Sequence, residues 1–146
     1  RELQIEAERA LDAARAAFAL VERAVAKIDA EVERLERDGD EDSGGQRGGF
    51  ASPLQAMAYI AIWLASEDTG SDAGAREEEF MPYLQGLTHQ SGPQDLSKLP
   101  DSLKRGRGHH FVVSRGWHKL RPNGVRAVKL HWDRVTGIPS GRARPL

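Results

Sequence analysis

The fold is decided by residues 2–38, whose sequence is ELQIEAERALDAARAAFALVERAVAKIDAEVERLERD. This stretch contains neither Gly nor Pro and is rich in Ala, Glu, Arg and Leu, which are good helix formers. Apolar residues fill heptad positions a and d over four successive heptads: Leu11, Phe18, Val25 and Val32 at a, and Ala14, Val21, Ile28 and Leu35 at d. The pattern predicts one long, coiled-coil-like helix.

The predicted helix is too long to be covered by its own domain. At 1.5 Å per residue it spans roughly 55 Å, whereas a globule of about 100 residues has a radius of gyration near 13 Å. The alternative is a helix wholly covered by residues 53–103 of the same chain. We expect instead an interface with a protein partner or a second copy, formed by Leu11, Phe18, Val21, Val25, Ile28, Val32 and Leu35.

An acidic, Gly-rich linker is predicted at residues 39–51. Asp38, Asp40 and Asp42 have the spacing of the first three ligands of a calcium-binding loop. Gly49 stands where such a loop needs its closing acidic residue, so a plain linker is the preferred interpretation.

A helical core is predicted at residues 52–103. Ser52, Pro53 and Gln55 form the signature of a helix start, with a cap, a first-turn proline and a capping-box glutamine. Residues 54–65 are apolar on almost every side, which predicts a buried helix. A weaker helix is predicted at residues 75–87, and residues 88–108 are predicted to be loop-like apart from a short helical turn at 101–104.

The last third of the chain has a different charge from the rest. Residues 96–146 hold 12 Lys and Arg against 2 Asp and Glu, a net charge of +10, while residues 1–95 carry −11. Such a basic segment favours contact with nucleic acid through the phosphate backbone. The alternative is that it pairs with acidic helices of the same chain or of a neighbouring copy. The predicted contact residues are Lys104, Arg105, Arg107, Arg115, Trp117, Lys119, Arg121, Arg126 and Lys129.

The same region, residues 104–146, is predicted to form a basic β-hairpin and tail. A strand is predicted at residues 111–113, and a hairpin is predicted from residues 117–121 and 125–132, joined by a turn at Pro122, Asn123 and Gly124. Trp132 is expected in the core. Trp117 is expected either in the core or as a ring for base stacking.

The predicted fold class is mainly α, with a long N-terminal coiled-coil-like helix packed with shorter helices and a small C-terminal β-hairpin. The chain has no Cys, which excludes disulfides, thiolate zinc sites and cysteine nucleophiles. Its longest uncharged apolar run, residues 56–65, is about half of a membrane span, and no export signal opens it. We therefore expect a cytoplasmic protein with no membrane contact.

The function predicted from these features is that of a non-enzymatic, sequence-independent nucleic-acid-binding subunit whose helices assemble it with protein. No cofactor is predicted, because the chain lacks a nucleophile elbow, a phosphate-binding loop and a dinucleotide fingerprint. One alternative is a metal-dependent phosphodiesterase or nuclease, because His and Asp together suit a divalent metal. Its metal ligands would be His109, His110, His118, His131 and Asp133. A second alternative is a pure protein scaffold.

Overall fold

The chain is mainly α-helical in a computed structural model that describes residues 2–38, 51–91 and 96–136. The described residues form five α-helices, a 3₁₀ turn and three strands: α1 (Glu2–Asp38), α2 (Pro53–Thr69), β1 (Ala75–Arg76), α3 (Glu77–Ser91), the 3₁₀ turn (Leu96–Lys98), α4 (Leu99–Gly106), β2 (Phe111–Ser114), β3 (Trp117–Leu120) and α5 (Pro122–Thr136). The predicted fold class is confirmed. Residues 39–50 of the predicted linker, including the calcium-like spacing at Asp40 and Asp42, lie outside the described residues, as does the tail beyond residue 136.

Helix α2 is the centre of the core. Its start is the predicted capping box: the Gln55 backbone N–H donates to Ser52 Oγ at 3.2 Å, and the Ser52 N–H donates to Gln55 Oε1 at 2.9 Å. Residues 54–62 are all buried, as the apolar run predicted. Gly70 ends the helix in the left-handed region at φ 69°, which a residue without a Cβ adopts freely. Every other helix packs against α2.

Helix α1 is divided between a packed half and an exposed half. From Leu20 onward it lies on α2 and α5, and Leu20, Ala24, Ile28 and Leu35 are buried there. The Trp63 indole N–H donates to the Ala24 carbonyl at 2.9 Å. Every residue from 2 to 18 is exposed.

The C-terminal third contains a hairpin, but the predicted strand at 125–132 is wrong. Residues 122–136 form helix α5, with Pro122 in its first turn, where proline is favoured. Val125, Val128, Trp132 and Val135 follow a helical spacing and are buried against α1, α2 and α3. Residues 125–132 resemble a strand in sequence, because a short apolar run fits both the two-residue period of a strand and the 3.6-residue period of a helix.

The observed hairpin pairs β2 with β3 through Arg115 and Gly116, both at positive φ. Strand β1 pairs with the other side of β3, so the antiparallel order is β1-β3-β2. The predicted strand at 111–113 is confirmed. On the core side of the sheet, the His118 ring lies against Phe80 and Phe111 at centroid distances of 5.2 and 5.7 Å.

Residues 88–108 contain more helix than predicted. Helix α3 continues through Pro82 to Ser91, and α4 covers Leu99–Gly106 rather than a single turn at 101–104. A strongly one-sided distribution of apolar residues makes α4 amphipathic, with Leu99 and Ser102 buried. None of the described helices is both long enough and apolar enough to cross a membrane.

Candidate nucleic-acid interface

The outer face of the three-stranded sheet carries exposed polar side chains. Side chains alternate along a strand, so Arg76, Trp117 and Ser114 form one row across the three strands, as the strand register requires. Lys119 pairs with Val112 in the neighbouring row, and both are exposed. A basic and aromatic sheet face results. Strands β2 and β3 match the strands predicted at 111–113 and 117–121, whereas β1 was not predicted.

Trp117 is partly buried, and the Arg76 guanidinium lies over its ring. The Arg76 guanidinium carbon lies 4.7 Å from the centre of the Trp117 ring, within the range of a cation–π contact. Arg76 also forms an ion pair with Glu78 at 3.5 Å. Its backbone N–H donates to Glu79 Oε1 at 2.9 Å, which fixes β1 to the start of α3. Sequence reasoning missed Arg76 because a strand of two residues leaves no periodic signal.

Five of the predicted contact residues are exposed cations. They have no carboxylate partner in the described part of the chain, and we call them the cationic set: Lys104, Arg105, Arg107, Arg115 and Lys119. The first two lie in the last turn of α4, beside an open groove of about 740 Å³. Arg107 adjoins the start of β2 through a bridge to Phe111, and Arg115 stands at the hairpin tip. The cationic set is therefore distributed over the end of α4, the approach to β2, the hairpin tip and β3.

Three other predicted contact residues are engaged within the chain. Lys129 Nζ donates to Asp29 of α1 in a half-buried ion pair, which is the intramolecular pairing named as the alternative. The Arg121 guanidinium donates to the Gly108 carbonyl. Both terminal nitrogens of Arg126 are buried with no hydrogen-bond partner among the described residues. For Lys129 and Arg126, these contacts and this burial argue against a role in phosphate binding.

Lys119 also lies on the rim of a groove of about 700 Å³ between α1, α2 and the end of β3. The apolar lining includes Ile62 and Trp63, and the rim holds both cations and carboxylates, among them Lys27 and Glu67. Lys27 and Glu67 pair with each other at 2.8 Å. The mixed charge of this groove favours no single class of small ligand, and we assign none to it.

The histidines of the metal alternative take part in separate contacts. The His110 Nδ1 and the buried Tyr59 hydroxyl lie 3.1 Å apart, and His109 packs edge-on against the His110 ring. His118 stacks on Phe111, whereas His131 is buried on α5. In the segments that the structure describes, no three His, Asp or Glu side chains come together as a metal site. The set that also includes Asp133 is therefore not proposed as a ligand cluster.

Burial shifts the pKa of two buried groups, Tyr59 and His131. Desolvation raises the pKa of Tyr59 far above its usual range, so its hydroxyl stays protonated. Burial, and secondarily the charge of Arg134, lowers the pKa of His131 below its ordinary value of 6.5. Neither group contacts the cationic set, so these shifts concern stability rather than the site.

Of the seven residues in the predicted α1 interface, five pack within their own chain and two are exposed. Ile28 and Leu35 are completely buried, and Val21, Val25 and Val32 pack against the core of the same chain. These five residues therefore pack against the body of their own chain and not against the protein partner that was predicted. Leu11 and Phe18 remain exposed, at 52% and 65% of their surface.

Comparisons with protein-family models, curated proteins and solved structures find no match to this chain. The proposal that follows rests on the residues described above.

Proposed function

We propose that this chain is a non-enzymatic subunit that binds nucleic acid independently of sequence and assembles with protein through α1. The observation that carries the proposal is the cationic set: five exposed cations on consecutive elements, without carboxylate partners among the described residues. Exposed cations without carboxylate partners are available to phosphates, and each can displace a counterion from a phosphate.

The cations are spread along the length of the sheet. Strand β2 has four residues and is about 13 Å long, with Arg115 at the hairpin tip at one end and Arg107 beside Phe111 at the other. Contacts between such cations and phosphates fix position without reading base sequence.

Trp117 adds an aromatic surface to this charged face. Stacking of a base on an aromatic ring tolerates any sequence. The guanidinium of Arg76 over the ring supplies a second flat surface, which is cationic. Trp132 is completely buried and Trp63 is held by its hydrogen bond to Ala24. A change in tryptophan fluorescence on binding that disappears in Trp117→Phe would assign the contact to this ring.

The experiment that tests the proposal compares two charge reversals of equal size. Lys119→Glu changes the outer sheet face, and Arg9→Glu changes the exposed half of α1. Fluorescence anisotropy with short labelled oligonucleotides of several sequences should show weaker binding for Lys119→Glu on all of them, with Arg9→Glu close to the parent protein. Equal affinities for the two variants, or no binding by the parent at low salt, would remove the proposal and leave the scaffold alternative.

A further inference from the structure

The exposed half of α1 carries a continuous apolar stripe that nothing in the described chain covers. At 100° per residue, seven apolar side chains fall within about 120° of the helix circumference. We call them the overhang stripe: Leu3, Ala7, Ala10, Leu11, Ala14, Ala17 and Phe18. Leu3 is 82% exposed and Phe18 65%, although monomeric proteins rarely expose contiguous apolar surface of this kind.

We infer that the overhang stripe binds the same stripe of a second copy of this chain, with the two helices antiparallel. In this arrangement residues at heptad position a of one helix pack against residues at position d of the other. Leu11 meets Ala14 of the second copy, and Phe18 meets its Ala7, so that each large side chain faces a small one. Ala10 and Ala17 at position g would let the two backbones approach closely.

The charges beside the stripe favour this orientation. In an antiparallel pair, e positions face e positions, and this register places Glu8 beside Arg15 of the second copy. Two-fold symmetry produces the ion pair twice. In a parallel pair, g would face e, and Arg15 would meet Ala10 while Glu22 would meet Ala17. The parallel pair therefore forms no flanking ion pair at these positions.

The length of the exposed half fits the same register. In this register residues 7–18 of one helix lie opposite residues 18–7 of the other, and the packed body of each chain begins at Leu20. The overlap thus uses the exposed turns from both sides and places the two bodies at opposite ends of the paired helices. This inference specifies the assembly part of the proposed function and does not depend on nucleic-acid binding.

A charge-swap series tests the ion pair. Glu8→Arg and Arg15→Glu each place like charges opposite one another twice, and each should raise the dimer Kd by about tenfold in sedimentation velocity. The double variant E8R/R15E restores opposite charges and should return the Kd to within about threefold of the parent. Arg9→Glu changes a charge on the opposite side of the helix and is the matched control. A parent chain that stays monomeric at the highest attainable concentration, or a double variant as weak as the singles, would overturn the inference.

Orientation is tested by cysteine cross-linking, because the sequence holds no Cys of its own. Ala7→Cys and Phe18→Cys are prepared as separate proteins and oxidised alone and as a mixture. In the antiparallel dimer only the mixture forms a disulfide, because residue 7 faces residue 18 of the other copy. In a parallel dimer each variant forms a disulfide with itself, and that result would contradict the proposed orientation.

A third measurement separates this inference from the proposed function. Phe18→Asp should be monomeric and still bind a short oligonucleotide as the parent does, because residue 18 is remote from the cationic set. Loss of the dimer with retained binding supports the dimer inference and the nucleic-acid proposal independently. A Phe18→Asp variant that remains a dimer would show that the overhang stripe is not the interface.

Discussion

Gly124 and Gly86 both lie in helices, but they have different surroundings. A Cβ added to Gly124 would meet the backbone oxygen of His110 at 2.0 Å, whereas a Cβ at Gly86 would meet nothing within 4 Å. Gly124→Ala should therefore force the start of α5 away from the turn before β2 and destabilise the protein by about 3 kcal/mol. Gly86→Ala should stabilise it by about 0.5–1 kcal/mol, because alanine loses less backbone entropy in a helix. Urea unfolding of the two variants measures both effects, and equal effects would contradict the close packing of Gly124 against His110.

His131 should make stability depend on pH below neutrality. Burial lowers its pKa in the folded state, so the unfolded chain takes up the proton first as the pH falls through about 6.5. Stability is unaffected above that pH and decreases between the unfolded and the lowered folded pKa. We expect His131→Leu to lose less stability than the parent between pH 7.5 and pH 5.5 in urea unfolding. Arg134→Gln removes only the smaller cause of the lowered pKa, so its loss of stability should lie between those of the parent and His131→Leu. If His131→Leu has the same pH dependence as the parent, His131 is not the group responsible.

At the scale of elements, helices α1 and α2 could be predicted because each carries several independent signals. Residues 2–38 combine composition, period and the absence of breakers, and α2 combines its capping box with an apolar run. Helix α5 could not be separated from a strand, because Pro122, Asn123 and Gly124 are typical both of a turn and of a helix start. The helical face of Val125, Val128 and Trp132 is buried against α1, α2 and α3, which are far from it in sequence.

Only part of the candidate site could be predicted from the sequence, again because tertiary contacts leave no local pattern. The cations could be identified from composition, but their partners depend on the fold. Lys129 lies one hundred positions from Asp29 in sequence and yet pairs with it. Arg76 comes from an acidic part of the chain and reaches Trp117 only because β1 joins the sheet. Charge statistics therefore identified the basic third but could not separate the cations that pair within the chain from the exposed ones.

The hairpin turn couples stability to the proposed function. Arg115 has φ 53°, a left-handed conformation that Asn adopts more readily than Arg, especially in a two-residue turn followed by Gly. Arg115→Asn should stabilise the protein by about 0.5 kcal/mol and at the same time weaken nucleic-acid binding, because a cation is lost at the sheet tip. Thermal unfolding and anisotropy measure the two effects on one variant. Arg115→Lys keeps the charge and should bind like the parent, and binding unchanged in Arg115→Asn would exclude Arg115 from the interface.

At the scale of the whole molecule, opposite charges lie close together in the fold. The acidic helix α1 crosses the basic third where it packs on α5, and Asp29–Lys129 is the ion pair that joins them there. The exposed half of α1 extends away from that contact. In the proposed dimer the paired overhangs would place one packed body at each end, so that a single assembly would carry two separate copies of the cationic set.

The salt dependence of binding tests whether the exposed cations act together. Five phosphate contacts predict a slope of about −4.5 for log Kobs against log salt on duplex and about −3.5 on a single strand. A duplex of about ten base pairs, roughly 34 Å long, confines the measurement to one body. Lys119→Gln should reduce the slope by about one, because it removes one exposed contact. Lys129→Gln should leave the slope unchanged, because Asp29 already neutralises that ammonium group, so the two substitutions form a matched pair of equal charge change. A slope near zero for the parent chain, or the same reduction in both variants, would show that binding does not depend on the exposed cations as the fold arranges them.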